Sequence, residues 1–214
     1  MVVWTIWNRQ NAVKFGHPTF SMDHIVPRAG ALLQEFLAAQ DRLTEVPIVA
    51  ISHQWHPPEF PYYKANFDAA IFRQSSSTRT GVIIRDNKGE AIGALSMPIP
   101  LSNSVAILEA LACRRALLFA KEIGLRQVVF EGASAMVFQA ITHGNSELAE
   151  YGHIIEDIRI LAADFDFIQF SHVKRNCNVV ADALAKKAKD SLSLAVWLEE
   201  VPEDIAPFLL FDIS

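Results

Sequence analysis

Cysteine is scarce in this chain of 214 residues: only Cys113 and Cys177 are present, far apart and with no CxxC spacing. That excludes a disulfide framework and a cysteine-built zinc site, and it fits free thiols in a reducing compartment. Long apolar runs are also missing. Nowhere do some 18 apolar residues follow one another, so no membrane-spanning helix and no membrane partner are expected. The opening MVVWTIW is apolar, but Asn8, Arg9 and Lys14 interrupt it, and no basic leader or small-residue cleavage site accompanies it. A secreted protein is not expected; the address is intracellular, nuclear or cytoplasmic. Positive charge is in short supply too, the net being −5. This argues against a surface that grips nucleic acid all over and leaves room for one local basic patch. Internal repeats are absent.

Apolar residues, by contrast, make up 51% of the chain, enough to build a core. Residues 1–43 read as an N-terminal helical segment, in which Trp4, Ile6, Trp7 and Val13 share a face and Leu32, Leu33, Phe36, Leu37 and Leu43 recur at helical spacing. Residues 44–60, ending in the proline-rich QWHPPEFP stretch, read as a linker. The main domain spans 61–190. It opens with a strand over Tyr63–Phe72 that carries one carboxylate, Asp68, among apolar neighbours. An ionised Asp in a central strand is costly unless it is paired or holds a cation. A polar turn (RQSSSTRT), a strand from Gly81, a turn at Asn87-Lys88-Gly89 and a strand over Ala91–Met97 complete an antiparallel meander. Next come a helix over Val105–Ile123 capped by Ser102 or Ser104, a strand over Gln127–Phe130, and helices at Ala135–Ile141 and 147–163. A last strand, Phe165–Phe170, and a helix, Val179–Lys189, follow; the tail, 191–214, reads as apolar but irregular. Three antiparallel strands followed by alternating strands and helices predict an α/β fold: a mixed five-stranded sheet with helices on both faces.

Acidic residues fall at distinctive points on this order: Asp68 in the first strand, Glu109 in the first helix after the meander, Asp182 in the last helix. The segments KANFDAA (64–70), GVIIRDNKGE (81–90), ILEALACRRAL (107–117), VVFEGAS (128–134) and SHVKRNCNVVADALAK (171–186) together resemble ribonuclease H-type domains. More narrowly, they resemble the plant reverse-transcriptase-like group related to non-LTR retrotransposons. The resemblance covers roughly residues 61–190, and IWNRQNAVKFG (6–16) is similar to the segment that precedes such domains in retroelement polyproteins.

The resemblance implies a hydrolase, a Mg²⁺-dependent endonuclease (Mn²⁺ as substitute) that cleaves the RNA of RNA–DNA hybrids. Asp68, Glu109 and Asp182 match metal-binding positions, and His172 matches a mobile histidine that assists proton transfer or product release. Hard oxygen ligands suit Mg²⁺, and two ions can activate a water and stabilise the leaving 3′-oxygen. Lys174, Arg175 and Asn178 are the expected nucleic-acid contacts. One departure stands out: the family's Asp after Glu131-Gly132 is Ala133, which supplies no oxygen. Glu131 is a candidate substitute ligand; it projects from the same strand face but lies roughly 7 Å back along the chain. The alternatives to a working nuclease are a catalytically inactive hybrid-binding module and a protein-interaction module derived from a retroelement. No protein partner can be named from these residues.

Overall fold

The computed structural model describes residues 2–27, 29–30, 54–143, 150–187 and 193–213. The chain divides into two compact units, Met1–Ile51 and Ser52–Ser214. In the first, helix α1 (Val2–Lys14) is followed by a 3₁₀ turn, Met22–His24. The Arg9 guanidinium donates to the Phe20 carbonyl at 3.0 Å, and Thr5, Ile25 and Ala29 are buried. The apolar face expected of α1 is not a buried one: Ile6, Trp7 and Val13 are exposed. The expected helix through Leu32–Leu43 lies outside the described residues.

The second unit is built on a six-stranded sheet in the order β5-β4-β1-β2-β3-β6. Strands β1 (Tyr63–Phe72), β2 (Ser77–Arg85) and β3 (Ala91–Ile99) form the antiparallel meander. The β2–β3 turn is held by the Asp86 carboxylate, which accepts from the Lys88 and Glu90 amides at 2.9 Å each. Strands β4 (Gln127–Gly132) and β5 (Phe167–His172) extend the sheet in parallel on the other side of β1. Alternation in the strands makes two apolar faces. Ala65, Phe67, Val82, Ile84 and Leu95 face a core closed by α2 (Val105–Glu122), α3 (Ala135–His143) and α4 (Gly152–Ala162). Ile83 and Ala94 face the opposite layer, where α5 (Val179–Lys186) brings Val180, Ala181 and Leu184. Burying a side chain such as Phe67 or Phe130 stabilises by about 1.5–3 kcal/mol. α2 starts where the Ser104 hydroxyl accepts from the Ile107 amide and stops at Gly124, whose φ of +81° suits glycine.

Three elements differ from the sequence expectation. β2 begins at Ser77 rather than Gly81, because Phe72 pairs with Ser77 and the β-branched Thr78 and Thr80 continue the ladder. The tail, expected to be irregular, carries regular elements over its described residues, 193–213: β6 (Ala195–Leu198) pairs antiparallel with β3, and α6 (Ala206–Ile213) follows. The expected five-stranded sheet thus gains a sixth strand, with Trp197 turned into the α5 layer. Trp55, read as part of the proline-rich linker, is instead a buried residue of this unit. Among the described residues, no helix is long and apolar enough to cross a membrane.

Candidate functional site

A cleft of about 680 Å³ opens at the edge of the α5 layer, and Asp68, Glu109, Arg175, Asp182 and Lys186 line it together with Ala69 and Val105. Asp68 arrives from β1, third from one sheet edge, and its Oδ1 accepts from the Ala69 amide at 2.9 Å. Glu109 projects from the second turn of α2 and is 8% exposed. Asp182 arrives from α5, which reaches the sheet because β2 has Gly81 beneath it. A Cβ there would stand 2.3 Å from the Ala185 nitrogen and 2.4 Å from the Ala181 oxygen. Since Gly81 is the register partner of Asp68, the same close approach sets Asp182 beside Asp68.

The three carboxylates have different surroundings. Asp68 and Glu109 hydrogen-bond to one another, and the pKa of each is raised, chiefly by burial. Asp182 adds to the rise at Asp68 and the Asp68 charge to that at Glu109, while Arg175 opposes both. Glu109 Oε2 is buried and has no hydrogen-bond partner. Asp182, partly exposed, is paired with Lys186 at 2.6 Å. Two acids side by side, one with an orphaned oxygen, form a hard-oxygen site that fits a divalent cation. Even so, among the described residues no three Asp, Glu, His or Cys side chains are gathered as a finished metal cage. Cys113, one turn beyond Glu109, is fully buried, and its thiol pKa is pushed up by burial and by the Glu109 charge.

The remaining predicted residues divide. His172 ends β5, exposed, with Gly132 as its register partner and Ala133 next along. Lys174 is exposed, and Arg175 faces the cleft. Asn178 is not a surface contact: it is 2% exposed, and its Nδ2 donates to the Phe67 carbonyl at 2.9 Å, clamping the start of α5 to β1. Glu131 is buried and does not line the cleft. It pairs with Lys64 at 3.0 Å and accepts from Asn66 Nδ2 at 3.1 Å, so its oxygens are already committed to neighbours on β1. Lys186 stands out in the sequence only as one cation of the basic stretch 172–189; its pairing with Asp182, four residues back on the same helix, was not read from it.

A mixed sheet with this strand order, helices on both faces and an acidic cleft at β1, α2 and α5 defines a ribonuclease H-like domain. Over residues 66–188 the sequence matches the family described as reverse transcriptase-like. The chain belongs to that family, and its domain is of the ribonuclease H type found in retroelement-like proteins. Among solved structures it is similar to RNase H1 from the halophilic archaeon Halobacterium salinarum, at 25% identity and a TM-score of 0.56 over 60% of this chain and 98% of that one. LC11-RNase H1, solved in complex with an RNA/DNA hybrid, shares the fold at 21% identity and a TM-score of 0.53, over 60% of this chain and 96% of its own. The N-terminal RNase H domain of a Mycobacterium tuberculosis protein does so at 17% identity and 0.53, over 60% and 94%. No curated protein matches the chain.

Proposed function

We propose that the domain binds nucleic acid and cleaves the RNA strand of RNA–DNA hybrids with the help of Mg²⁺, for which Mn²⁺ can substitute, at a rate held down by Ala133. The observation that carries this reading is the meeting of Asp68, Glu109 and Asp182, remote in sequence, in one cleft with Arg175. Asp68 and Glu109 would hold the cation, with Asp182 beside them. A bound divalent ion supplies positive charge that activates a water and steadies the leaving 3′-oxygen. The chain's own groups do the rest. Arg175 offers a phosphate-matching guanidinium at the cleft, and Lys174 extends the positive rim. His172, exposed at the end of β5, would be the group that assists proton transfer or product release. Recognition would run through backbone and 2′-hydroxyls, by shape rather than base sequence.

Ala133 favours a second reading, an inactive hybrid-binding or protein-interaction module. A labelled RNA–DNA duplex assayed for binding and for Mg²⁺- or Mn²⁺-dependent cleavage separates the two, with Ala133→Asp run alongside. The expected result is weak cleavage by the natural chain and a rise of orders of magnitude in the variant, with similar binding. Equal rates would mean that an oxygen is supplied elsewhere. Binding without cleavage by either protein selects the inactive module, and no binding at low salt selects the protein-interaction role.

A further inference from the structure

Helix α6 is apolar on both of its faces, a pattern that belongs to a covered helix rather than to one at a surface. Its sequence, APFLLFDI, has one polar side chain, Asp212, and that carboxylate is buried on Arg85. Leu209 faces inward as well and packs, with Ile205 just before the helix, on the α5 layer. The other face is left to solvent. Pro207, Phe208, Leu210 and Phe211 recur there at helical spacing, with Phe208 40%, Leu210 67% and Phe211 68% exposed. The Asp212–Arg85 pair and the bond from Gln54 Nε2 to the Phe211 carbonyl hold the helix in place beneath this apolar face.

The border of the face is acidic. Glu199 and Glu200 follow β6, and Glu203 and Asp204 lie in the turn that enters α6, where the Ile205 and Ala206 amides donate to the Pro202 carbonyl. All four are exposed, and from 193 to 213 the chain has no Lys, Arg or His. Lys187 reaches Asp204 at 2.5 Å, and among the described residues no ion pair engages the three glutamates. We infer that this face is a docking site for a protein partner, a helical segment whose large apolar side chains are flanked by Lys or Arg. Its apolar anchors would lie across Phe208, Leu210 and Phe211, and its cations would meet Glu199, Glu200 and Glu203. A second copy of this chain fits less well. In a two-fold pair the patch meets itself, so the acidic border would face the same acids with no cation to answer them. An anionic lipid surface is repelled for the same reason. The surface lies outside residues 66–188, which match the family, and stands whether or not the cleft cuts.

The probe is a labelled synthetic peptide with Leu and Phe along one helical face and Lys along its borders, its binding to the full chain read by fluorescence anisotropy. A roughly micromolar Kd is expected, rising at least about tenfold in Leu210→Ser/Phe211→Ser. Glu199→Gln/Glu200→Gln/Glu203→Gln should also weaken binding about tenfold and flatten its dependence on salt. The same peptide with Glu in place of each Lys should not bind. All five substituted side chains are exposed, so both variants should keep the natural melting temperature, which circular dichroism checks. No binding of the basic peptide, equal binding of the acidic one, or unchanged binding by Leu210→Ser/Phe211→Ser would each overturn the inference. So would sedimentation that finds the natural chain dimeric and the serine variant monomeric, which assigns the face to a second copy. Flotation with phosphatidylcholine/phosphatidylserine vesicles, lost in the serine variant, would overturn it in favour of a membrane surface.

Discussion

Asp68 and Glu109 hold their shared hydrogen bond at the expense of charge. Burial raises both, Asp68 to about 6 with the Asp182 charge adding to it and Glu109 to about 8 with Asp68 adding to it, and the two titrate as a pair. The folded state therefore binds more protons than the unfolded one between the ordinary carboxylate range and about pH 8. Stability is greatest below that range and falls as pH rises through it. A loss on the order of 3 kcal/mol is expected across this window in metal-free protein. Thermal melts at pH 5 and pH 8 in chelator should show it, and Glu109→Gln should remove most of the difference. A melting temperature that is flat with pH in the natural chain would contradict the buried acid pair. Asp68, Glu109 and Asp182 were legible from sequence because each sits within a motif of its own. Glu131 was not: what decides its role is Lys64 and Asn66, which lie on a different strand and become its neighbours only through the β1–β4 register.

The helix that carries Asp182 is positioned by an absence, the missing side chain at Gly81. Ala181 and Ala185 lie against that spot, and the atoms a Cβ would meet are backbone, which cannot swing aside. Gly81→Ala is expected to cost about 1–3 kcal/mol by overpacking and to lift α5 away from β1. Gly93→Ala is the natural control: its nearest neighbours are the Phe119 ring edge at 3.0 Å and an Ile123 methyl at 3.3 Å, side chains that can give. Urea denaturation of both should show the larger drop in midpoint for Gly81→Ala; the reverse order would refute this account of how α5 is seated. Elements with a full helical or strand period were legible to within a few residues, as β1 and α2 illustrate. β6 was not, for a physical reason. Four residues are too few for alternation to be read, and Trp197 points inward only because β3 offers it an edge.

Within the second unit, residues from its two ends close on one buried cation. Arg85 on β2 is fully buried, with its guanidinium 3.3 Å above the Trp55 ring. It donates to Asp212 on α6 at 2.8 Å and to Asn66 Oδ1 at 3.0 Å, and Asn66 passes the chain of bonds to Glu131 and so to Lys64. Trp55 lies before the first strand and Asp212 after the last, so neither partnership could be read from local pattern. The ion pair is not a free gain. Burial lowers the Arg85 pKa, and it raises that of Asp212 more than the arginine lowers it. Desolvation of both charges thus offsets much of their attraction. Removing one partner is a different matter, because the other is left buried and uncompensated. Asp212→Ala is expected to destabilise by about 3–5 kcal/mol, while Arg85→Met/Asp212→Leu, which removes both charges and keeps the volume, should recover most of that loss. Chemical denaturation of the three proteins measures this directly. If the double variant is as unstable as Asp212→Ala alone, the pair is a net source of stability rather than a device that pins α6 onto the sheet. Hydrogen exchange over residues 206–213 gives a second check, since Asp212→Ala should release protection there while β1 and β2 keep theirs.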